Sequence, residues 1–385
     1  MQYIWEHIKT ILDTYKGGAP LSYFLKTYFK QYPILGSRDR KILSEMTYNW
    51  YRCEKGMPPE MPFEEKIYAA LYLCGTQTRL IEQVVEGPLQ SLWQNHNPDR
   101  IAVLDQNGIT FHLQDIFPFE YELSEGLGKE EWLYSLLVQP DLFLRVRKKQ
   151  ERMTTLLHQN GIAYHWLFEN CMALPNGVAI DKILQADDYV VQDASSQLTG
   201  NYFHPCANET WYDCCSGAGG KSLLLKDMEP EIELFVSDKR GSILDNLEDR
   251  FRLYHHKLPE SFLIDCTDPE QLELSFGDQK FNGIIADVPC TGSGTWARTP
   301  EQMYFYDPAH LENVSALQRN IVKNVAEYLE PDGRLIYITC SVFRQENEAA
   351  IAHILSETSL QLEHTELIKG IEHKADSMFV SVLRN

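Results

Sequence analysis

The sequence has little positive charge, no paired cysteine spacing and no long apolar run. Its 385 residues include 35 Lys and Arg against 55 Asp and Glu, which gives a formal net charge of -20. Nucleic-acid binding normally shows as excess positive charge, so this balance alone argues against such a partner. No stretch approaches the roughly 20 unbroken apolar residues that span a bilayer. Glu6, Lys9 and Asp13 also interrupt the place of a signal peptide's apolar core. We therefore expect a cytoplasmic protein with no membrane partner.

The nine cysteines are odd in number, and none belongs to a Cys-x-x-Cys pair. This spacing supports neither a disulfide framework nor a zinc ribbon. Most of them are expected to be reduced, buried and small apolar residues. The pair His255-His256 has no ligand partner at metal spacing and is predicted to be a surface pair on a helix. No metal site is predicted.

The pattern of apolar residues divides the chain into three predicted domains. Residues 1–128 place apolar side chains at helical spacing and are predicted to be helical. Residues 129–191 form a small α+β module, with a strand at 142–146 and a helix at 150–159. Residues 192–385 alternate short strands with helices, the pattern of an open parallel α/β sheet.

Polar residues follow the predicted strands of the third domain. The strand that starts at Leu234 ends at Asp238, and the next two end at Asp265 and Asp287. The last runs into Thr339-Cys340. Ligands of such sheets bind at the carboxyl ends of the strands. We therefore expect these polar residues to gather along one edge.

A glycine-rich segment, Asp213 to Ser222, joins an earlier short strand, predicted at Trp211-Tyr212, to a helix. Its small residues let backbone N–H groups approach an anionic or carboxylate-bearing ligand at the helix N-terminus. Cys215 stands where a Walker phosphate loop needs glycine, and Ser222 stands where a dinucleotide fingerprint needs it. A tight turn that serves only packing is the alternative.

Two acids further along the chain favour a nucleoside ligand. Asp238 is placed to hold a ribose hydroxyl pair, and Asp265 to hold an adenine amino group, although either alone could be a helix cap. Together with the glycine-rich turn they predict S-adenosylmethionine, whose charged tail would reach the turn.

Cys290 and Cys340 follow adjacent predicted strands within polar loops that contain Pro and Gly. Inert buried thiols are the alternative interpretation. Methylation of carbon 5 of a pyrimidine needs a thiolate that adds to carbon 6 and an acid that stabilises the charge on the ring. The Pro-Cys290 and Thr-Cys340-Ser loops, the second followed by Glu346-Asn347-Glu348, fit that chemistry.

These motifs, in this order, resemble the Sun/Fmu (NOL/NOP/Sun) family of RNA (cytosine-5) methyltransferases. Residues 191–198 resemble the family's entry into its catalytic domain, and 376–383 its last hairpin. Gly36 to Lys41, with Tyr51-Arg52, is similar to the NusB-like helical domain of the bacterial 16S rRNA branch. The resemblance implies a Rossmann-like S-adenosylmethionine-dependent methyltransferase domain, preceded by an all-α NusB-like RNA-binding domain and the small α+β module.

The resemblance also implies roles for single residues. Cys340 would attack carbon 6 of a cytosine, Asp287 would hydrogen-bond its ring, and Cys290 would assist release of the adduct. Lys221 would lie near the methionine end of the cofactor and the substrate. No metal is required. The implied cofactor-binding residues are Cys215, Ser216, Gly217, Ala218, Gly219, Gly220, Lys221, Asp238, Asp265 and Asp287.

The implied partner is RNA, most directly 16S rRNA in an assembling small subunit, and neither DNA nor a second copy of the chain. Methylation of tRNA and a non-catalytic RNA-binding assembly factor are the alternatives. The chain departs from the family at Gly217-Ala218, where Ala-Pro is usual and the change loosens the turn, and at Ala297, where arginine is common. Two upstream basic clusters are predicted to contact phosphates: Arg38, Arg40, Lys41 and Arg52, then Arg145, Arg147, Lys148, Lys149 and Arg152.

Overall fold

The structure is a computed structural model that describes residues 2–76 and 99–385. The described helices are α1 Gln2–Thr14, α2 Leu21–Gln31, α3 Ser37–Cys53, α4 Phe63–Leu73, α5 Arg100–Gln106, α6 Lys129–Leu136, α7 Gln150–Gln159, α8 Ala194–Leu198, α9 Gly220–Met228, α10 Gly241–Leu253, α11 Pro269–Phe276, α12 Pro300–Tyr304, α13 Ala309–Ala326 and α14 Glu348–Glu357. The described strands are β1 Leu142–Val146, β2 His165–Phe168, β3 Cys171–Leu174, β4 Tyr189–Val191, β5 Thr210–Asp213, β6 Glu233–Asp238, β7 Glu260–Leu263, β8 Phe281–Asp287, β9 Leu329–Thr339, β10 Gln361–Ile368 and β11 Met378–Arg384.

Two compact units share these elements. The helical unit contains residues up to 120, with 128–139 and 295–307, and the sheet unit contains 121–127, 140–294 and 308–385. The three predicted domain boundaries stay a prediction. Residues 77–98 of the predicted helical domain lie outside the described residues.

The helical unit forms because apolar side chains recur on one face of each helix. Ile4, Ile8 and Ile11 of α1 are buried in a single core with residues of α2 and α3. Helix α3 begins at Ser37, and an acidic residue in its first turn caps it. The residue before the helix is Gly36, and its N–H donates to Asp39 Oδ2 at 3.1 Å. The unit fits the predicted NusB-like domain.

The sheet unit contains a small antiparallel sheet and a large, mainly parallel one. The small sheet has the order β2-β3-β1-β4, and α7 follows β1. The bounds of β1 and α7 are those predicted from the sequence. An antiparallel sheet with a helix is the predicted α+β arrangement.

The large sheet has the order β10-β11-β9-β8-β5-β6-β7. The pairs from β9 to β7 are parallel, which confirms the predicted open α/β sheet. Ile284, Ile285 and Ala286 of β8 are fully buried, as expected where helices cover both faces. Strands β10 and β11 add an antiparallel hairpin beside β9, where the resemblance predicted the last hairpin.

Three of the arginines expected to contact phosphates are buried instead. Arg52 is only 1% exposed, and its guanidinium donates to Gln139 Oε1 at 2.8 Å within the helical unit. In the sheet unit, Arg145 of β1 and Arg147, which follows β1, both form ion pairs with Asp227 of α9. The predicted phosphate contacts are therefore wrong for these three, because each guanidinium is already enclosed among internal partners.

The rest of the second cluster is exposed. The side chains of Lys148 and Lys149 are 43% and 46% exposed, and Arg152 also faces solvent. Their contact with phosphate stays a prediction.

The predicted surface helix for the histidine pair is wrong, because both residues follow α10 and His256 Nε2 lies 2.8 Å from Asp227 Oδ1. Of the helices described, none is long and apolar enough to cross a membrane.

Candidate active site

A cavity of about 420 Å³ lies in the sheet unit at the carboxyl ends of the five parallel strands. Because parallel strands end at the same edge, the residues that follow them meet there. Six of the predicted site residues line the cavity: Cys215, Asp238, Asp265, Asp287, Cys290 and Cys340. The other predicted residues, 216–221, form the neighbouring turn and the first two positions of α9.

The turn after β5 is fixed to the end of β6. The Ser216 N–H donates to the Ser237 carbonyl at 3.0 Å, and the Gly217 N–H donates to Asp238 Oδ2 at 3.2 Å. Gly217 and Gly219 have φ angles of +51° and +77°, a region that favours glycine. A Cβ on Gly219 would also lie 2.8 Å from Leu247 Cγ. The departure from the family at Gly217 therefore suits this backbone.

Two carboxylates line the cavity beside this turn. Asp238 accepts from Arg240 Nε at 2.9 Å and from Arg240 Nη2 at 3.0 Å. Burial opposes its ionisation, but the hydrogen bonds from Arg240 and from backbone N–H groups lower the pKa of Asp238. Hydrogen bonds from Thr267 lower the pKa of Asp265 in the same way. Both side chains are therefore anionic acceptors for hydroxyl or amino groups.

Lys221 and Asp287 form a salt bridge, with Lys221 Nζ 3.1 Å from Asp287 Oδ2. The Lys221 side chain is only 7% exposed, and it also donates to Ser196 Oγ at 2.8 Å. Ser196 was singled out only as part of the domain-entry motif, and its contact with Lys221 was missed. The serine lies 25 positions from Lys221, so no local sequence signal connects them.

Asp213 lies beneath this pair and is fully enclosed. Ser222 Oγ donates to Asp213 Oδ2 at 2.5 Å. Burial raises the pKa of Asp213 to about 7, and the charge of Asp287 acts in the same direction. Asp213 therefore helps to fix the turn.

The thiols of Cys290 and Cys340 are adjacent and free, with 3.1 Å between the Sγ atoms. The Cys340 N–H also donates to Cys290 Sγ at 3.3 Å. The hydrogen bond with Cys340, together with burial, raises the pKa of the Cys290 thiol well above its ordinary value. Cys290 therefore holds its proton at neutral pH.

One buried carboxylate lies behind the two cysteine loops. Glu346 accepts from the Thr291 N–H at 2.8 Å and from Gln318 Nε2 at 3.0 Å, and it also accepts from Ser341 Oγ. Glu346 belongs to the motif noted in the sequence, but Gln318 was missed. On α13 this glutamine interrupts an apolar face, which is a weak signal without a known partner.

The sequence and the fold resemble those of known proteins. A family described as "16S rRNA methyltransferase RsmB/F" matches residues 201–383. "Ribosomal RNA small subunit methyltransferase B" of Enterobacter sp. (strain 638) is 30% identical over 318 residues, which cover 79% of this chain and 71% of that protein. The protein of the same name from Shewanella oneidensis is 29% identical over 188 residues, or 49% of this chain and 43% of its own length. The chain thus spans less than half of that relative.

Solved structures share the fold at low sequence identity. The crystal structure of PH0851 has a TM-score of 0.69 and 18% identity, and the match covers 95% of each chain. The structure of a methyltransferase homolog protein from Pyrococcus horikoshii has a TM-score of 0.56 and 17% identity. That match covers 66% of this chain and 90% of the other.

Proposed function

The chain belongs to the RsmB/F family of 16S rRNA methyltransferases, and we propose from this premise that it methylates carbon 5 of a cytosine in 16S rRNA. The methyl donor in this proposal is S-adenosylmethionine, and the reaction passes through a covalent bond between Cys340 and the base. The substrate is reached in the cytoplasm, as free rRNA or in an assembling small subunit, by a monomer.

The cavity has charged side chains beside the turn at 215–220: Asp238, Arg240, Asp265 and Asp287, with the neighbouring Lys221. This part of the site, called the charged end below, fits S-adenosylmethionine. Asp238 and Asp265 offer anionic acceptors for the ribose hydroxyls and the adenine amino group, respectively. The turn at 215–220 would take the methionine end, beside Lys221 and Asp287. When bound, the cofactor supplies an activated methyl group.

The chain's own groups then act on the cytosine. The Cys340 thiolate adds to carbon 6, which makes carbon 5 nucleophilic, while Asp287 hydrogen-bonds the ring. After carbon 5 has been methylated, its remaining proton passes to solvent water. The electron pair of that C–H bond re-forms the double bond between carbons 5 and 6 as the bond from carbon 6 to Cys340 breaks and returns the thiolate. Cys290 assists this release. Lys221 keeps Asp287 in place through the 3.1 Å salt bridge.

The observation that carries the proposal is the thiol pair at the end of the cavity. Cys290 and Cys340 follow adjacent strands, line one cavity with Asp287, and lie 3.1 Å apart. The raised pKa of Cys290 fits its assignment to the release step and not to the attack. A loop nucleotide is the favoured target, because a paired base must first be flipped out of its helix.

The test is methylation in vitro of 16S rRNA fragments, with total tRNA as the competing substrate, followed by bisulfite sequencing of the product. Protection of one cytosine in 16S rRNA is expected. Label found only in tRNA would show that the substrate is tRNA and not 16S rRNA. RNA binding without label in either RNA would contradict the reaction and favour an assembly factor.

A further inference from the structure

Glu346 takes no part in the chemistry proposed above, yet its carboxylate is fully buried in the sheet unit. A buried carboxylate is costly unless hydrogen bonds replace its hydration. The donors on Glu346 in the described residues are neutral, and each oxygen has two. Oε1 accepts from the Thr291 N–H at 2.8 Å and from Gln318 Nε2 at 3.0 Å. Oε2 accepts from Thr291 Oγ1 at 2.5 Å and from Ser341 Oγ.

Two of these donors are direct neighbours of the two thiols. Thr291 follows Cys290 in the loop after β8, and Ser341 follows Cys340 in the loop after β9. A single carboxylate therefore joins the two loops one residue away from the paired sulfurs.

The surroundings of Glu346 fix its own position. Tyr337 Oη donates to the Glu346 carbonyl at 2.6 Å, and Gln318 Nε2 also donates to the Pro289 carbonyl at 2.9 Å. Gln318 and Tyr337 are fully buried. The carboxylate is thus held from several sides, so that it can serve as a rigid anchor for both loops.

We propose that Glu346 is a positioning residue that sets the separation and orientation of Cys290 and Cys340. This inference deepens the proposed function and rests on it, because there the two thiols act in turn: Cys340 attacks the base and Cys290 assists its release. Reactions that depend on aligned groups lose about 100-fold in rate when one group moves by roughly 1 Å. Release of either loop from Glu346 would produce such a displacement.

Glu346→Gln tests the anchor with almost no change in shape. The amide oxygen can still accept from the Thr291 N–H and Gln318, but its NH₂ group reverses the two hydrogen bonds to the Thr291 and Ser341 hydroxyls. The loss of the negative charge also weakens all four hydrogen bonds, because charge-assisted hydrogen bonds are about twice as strong as neutral ones. Both loops are then held less firmly. Glu312→Gln is the matched control, because Glu312 is an exposed acid on α13 whose carboxylate accepts from Gln345.

The separation of the thiols can be measured without RNA or cofactor by oxidation with diamide. The first thiolate adds to the diazene, and the second displaces the resulting hydrazine, so that a disulfide forms while diamide takes up two electrons and two protons. Peptide mapping by mass spectrometry follows the Cys290–Cys340 disulfide. We expect rapid closure in the wild-type and Glu312→Gln proteins, and closure slower by about tenfold or more in Glu346→Gln.

A second pair of variants covers the case in which Glu346→Gln does not fold. Ser341→Ala removes a donor on the Cys340 side, and Thr291→Val removes one on the Cys290 side. Each is expected to slow closure by about threefold, since part of the anchor remains. Closure at the wild-type rate in folded Glu346→Gln, or in both of these variants, would overturn the proposal.

Methylation assays on the same proteins separate this inference from the proposed function. If Glu346 positions the thiols, kcat falls in Glu346→Gln while KM for RNA and the affinity for S-adenosylmethionine stay unchanged. If disulfide closure is slow in Glu346→Gln but the wild-type protein does not methylate RNA, the proposed function is wrong and the positioning role stands. If disulfide closure and kcat in Glu346→Gln equal those of an active wild type, the positioning role is wrong and the proposed function stands.

Discussion

The charged end of the cavity and the cysteine loops beside it hold their carboxylates in different ways. At the charged end, Asp238 pairs with Arg240 and Asp287 pairs with Lys221. Behind the cysteine loops, Glu346 accepts from neutral donors alone among the described residues. A salt bridge tolerates changes in geometry, whereas four directed hydrogen bonds do not. The charged end is therefore suited to receive a ligand, and the cysteine loops are suited to keep two reacting groups in fixed positions.

The largest expected effect at the charged end is that of Asp287→Asn. This change removes the carboxylate that we propose hydrogen-bonds the ring, and it leaves the buried Lys221 ammonium without its carboxylate partner. We expect kcat to fall by about 1000-fold, within the range for loss of a positioned acid or base. Single-turnover methylation measures it, with Glu312→Gln as control. A loss below tenfold would show that the ring does not depend on Asp287.

The buried Asp213 is expected to make the free energy of unfolding depend on pH. Burial raises its pKa in the folded protein to about 7 from the ordinary value of 3.8. Between these values the folded state keeps a proton that the unfolded state loses, so the contribution to stability falls as pH rises and levels off above pH 7. The full effect is about 4 kcal/mol at most, at roughly 1.4 kcal/mol per pKa unit.

Asp213→Asn should remove this dependence. The free energy of unfolding, measured by urea titration between pH 4 and pH 8, should fall for the wild type relative to the variant as pH rises. Equal pH dependence in both proteins would mean that Asp213 is already ionised in the folded state.

A smaller effect is expected for Arg240→Ala. The Arg240 side chain is 61% exposed, and exposed salt bridges contribute about 1 kcal/mol or less. We expect the affinity for S-adenosylmethionine to change by less than about tenfold, with unfolding unaffected. Isothermal titration at two salt concentrations measures this. If the variant abolished cofactor binding, Arg240 would be a direct ligand contact. The contrast between the charged end and the cysteine loops would then be weaker.

The sequence predicted what depends on local patterns. An apolar run followed by a polar residue places Asp238, Asp287 and Thr339 at the ends of their strands, and parallel strands bring such residues to one edge. This is why both the sheet and the cavity could be expected. The antiparallel hairpin beside β9 was expected only from the family resemblance.

What depends on distant partners could not be predicted. Arg145 and Arg147 were expected on the surface because Asp227, about 80 positions away, gives no local sign of pairing with them. The contacts of Glu346 with Thr291 and of Lys221 with Ser196 follow from the geometry of the folded loops. Charge counted along the chain does not indicate which arginines are exposed.

The central claim, that Cys340 attacks the base and Cys290 releases it, is tested most directly by trapping the protein on RNA. Purified wild-type, Cys290→Ala and Cys340→Ala proteins are incubated with 16S rRNA and S-adenosylmethionine and separated on a denaturing gel. The account predicts that Cys290→Ala accumulates a covalent protein–RNA species and that Cys340→Ala forms none and does not methylate. A covalent species in Cys340→Ala, or equal methylation by both variants, would contradict it.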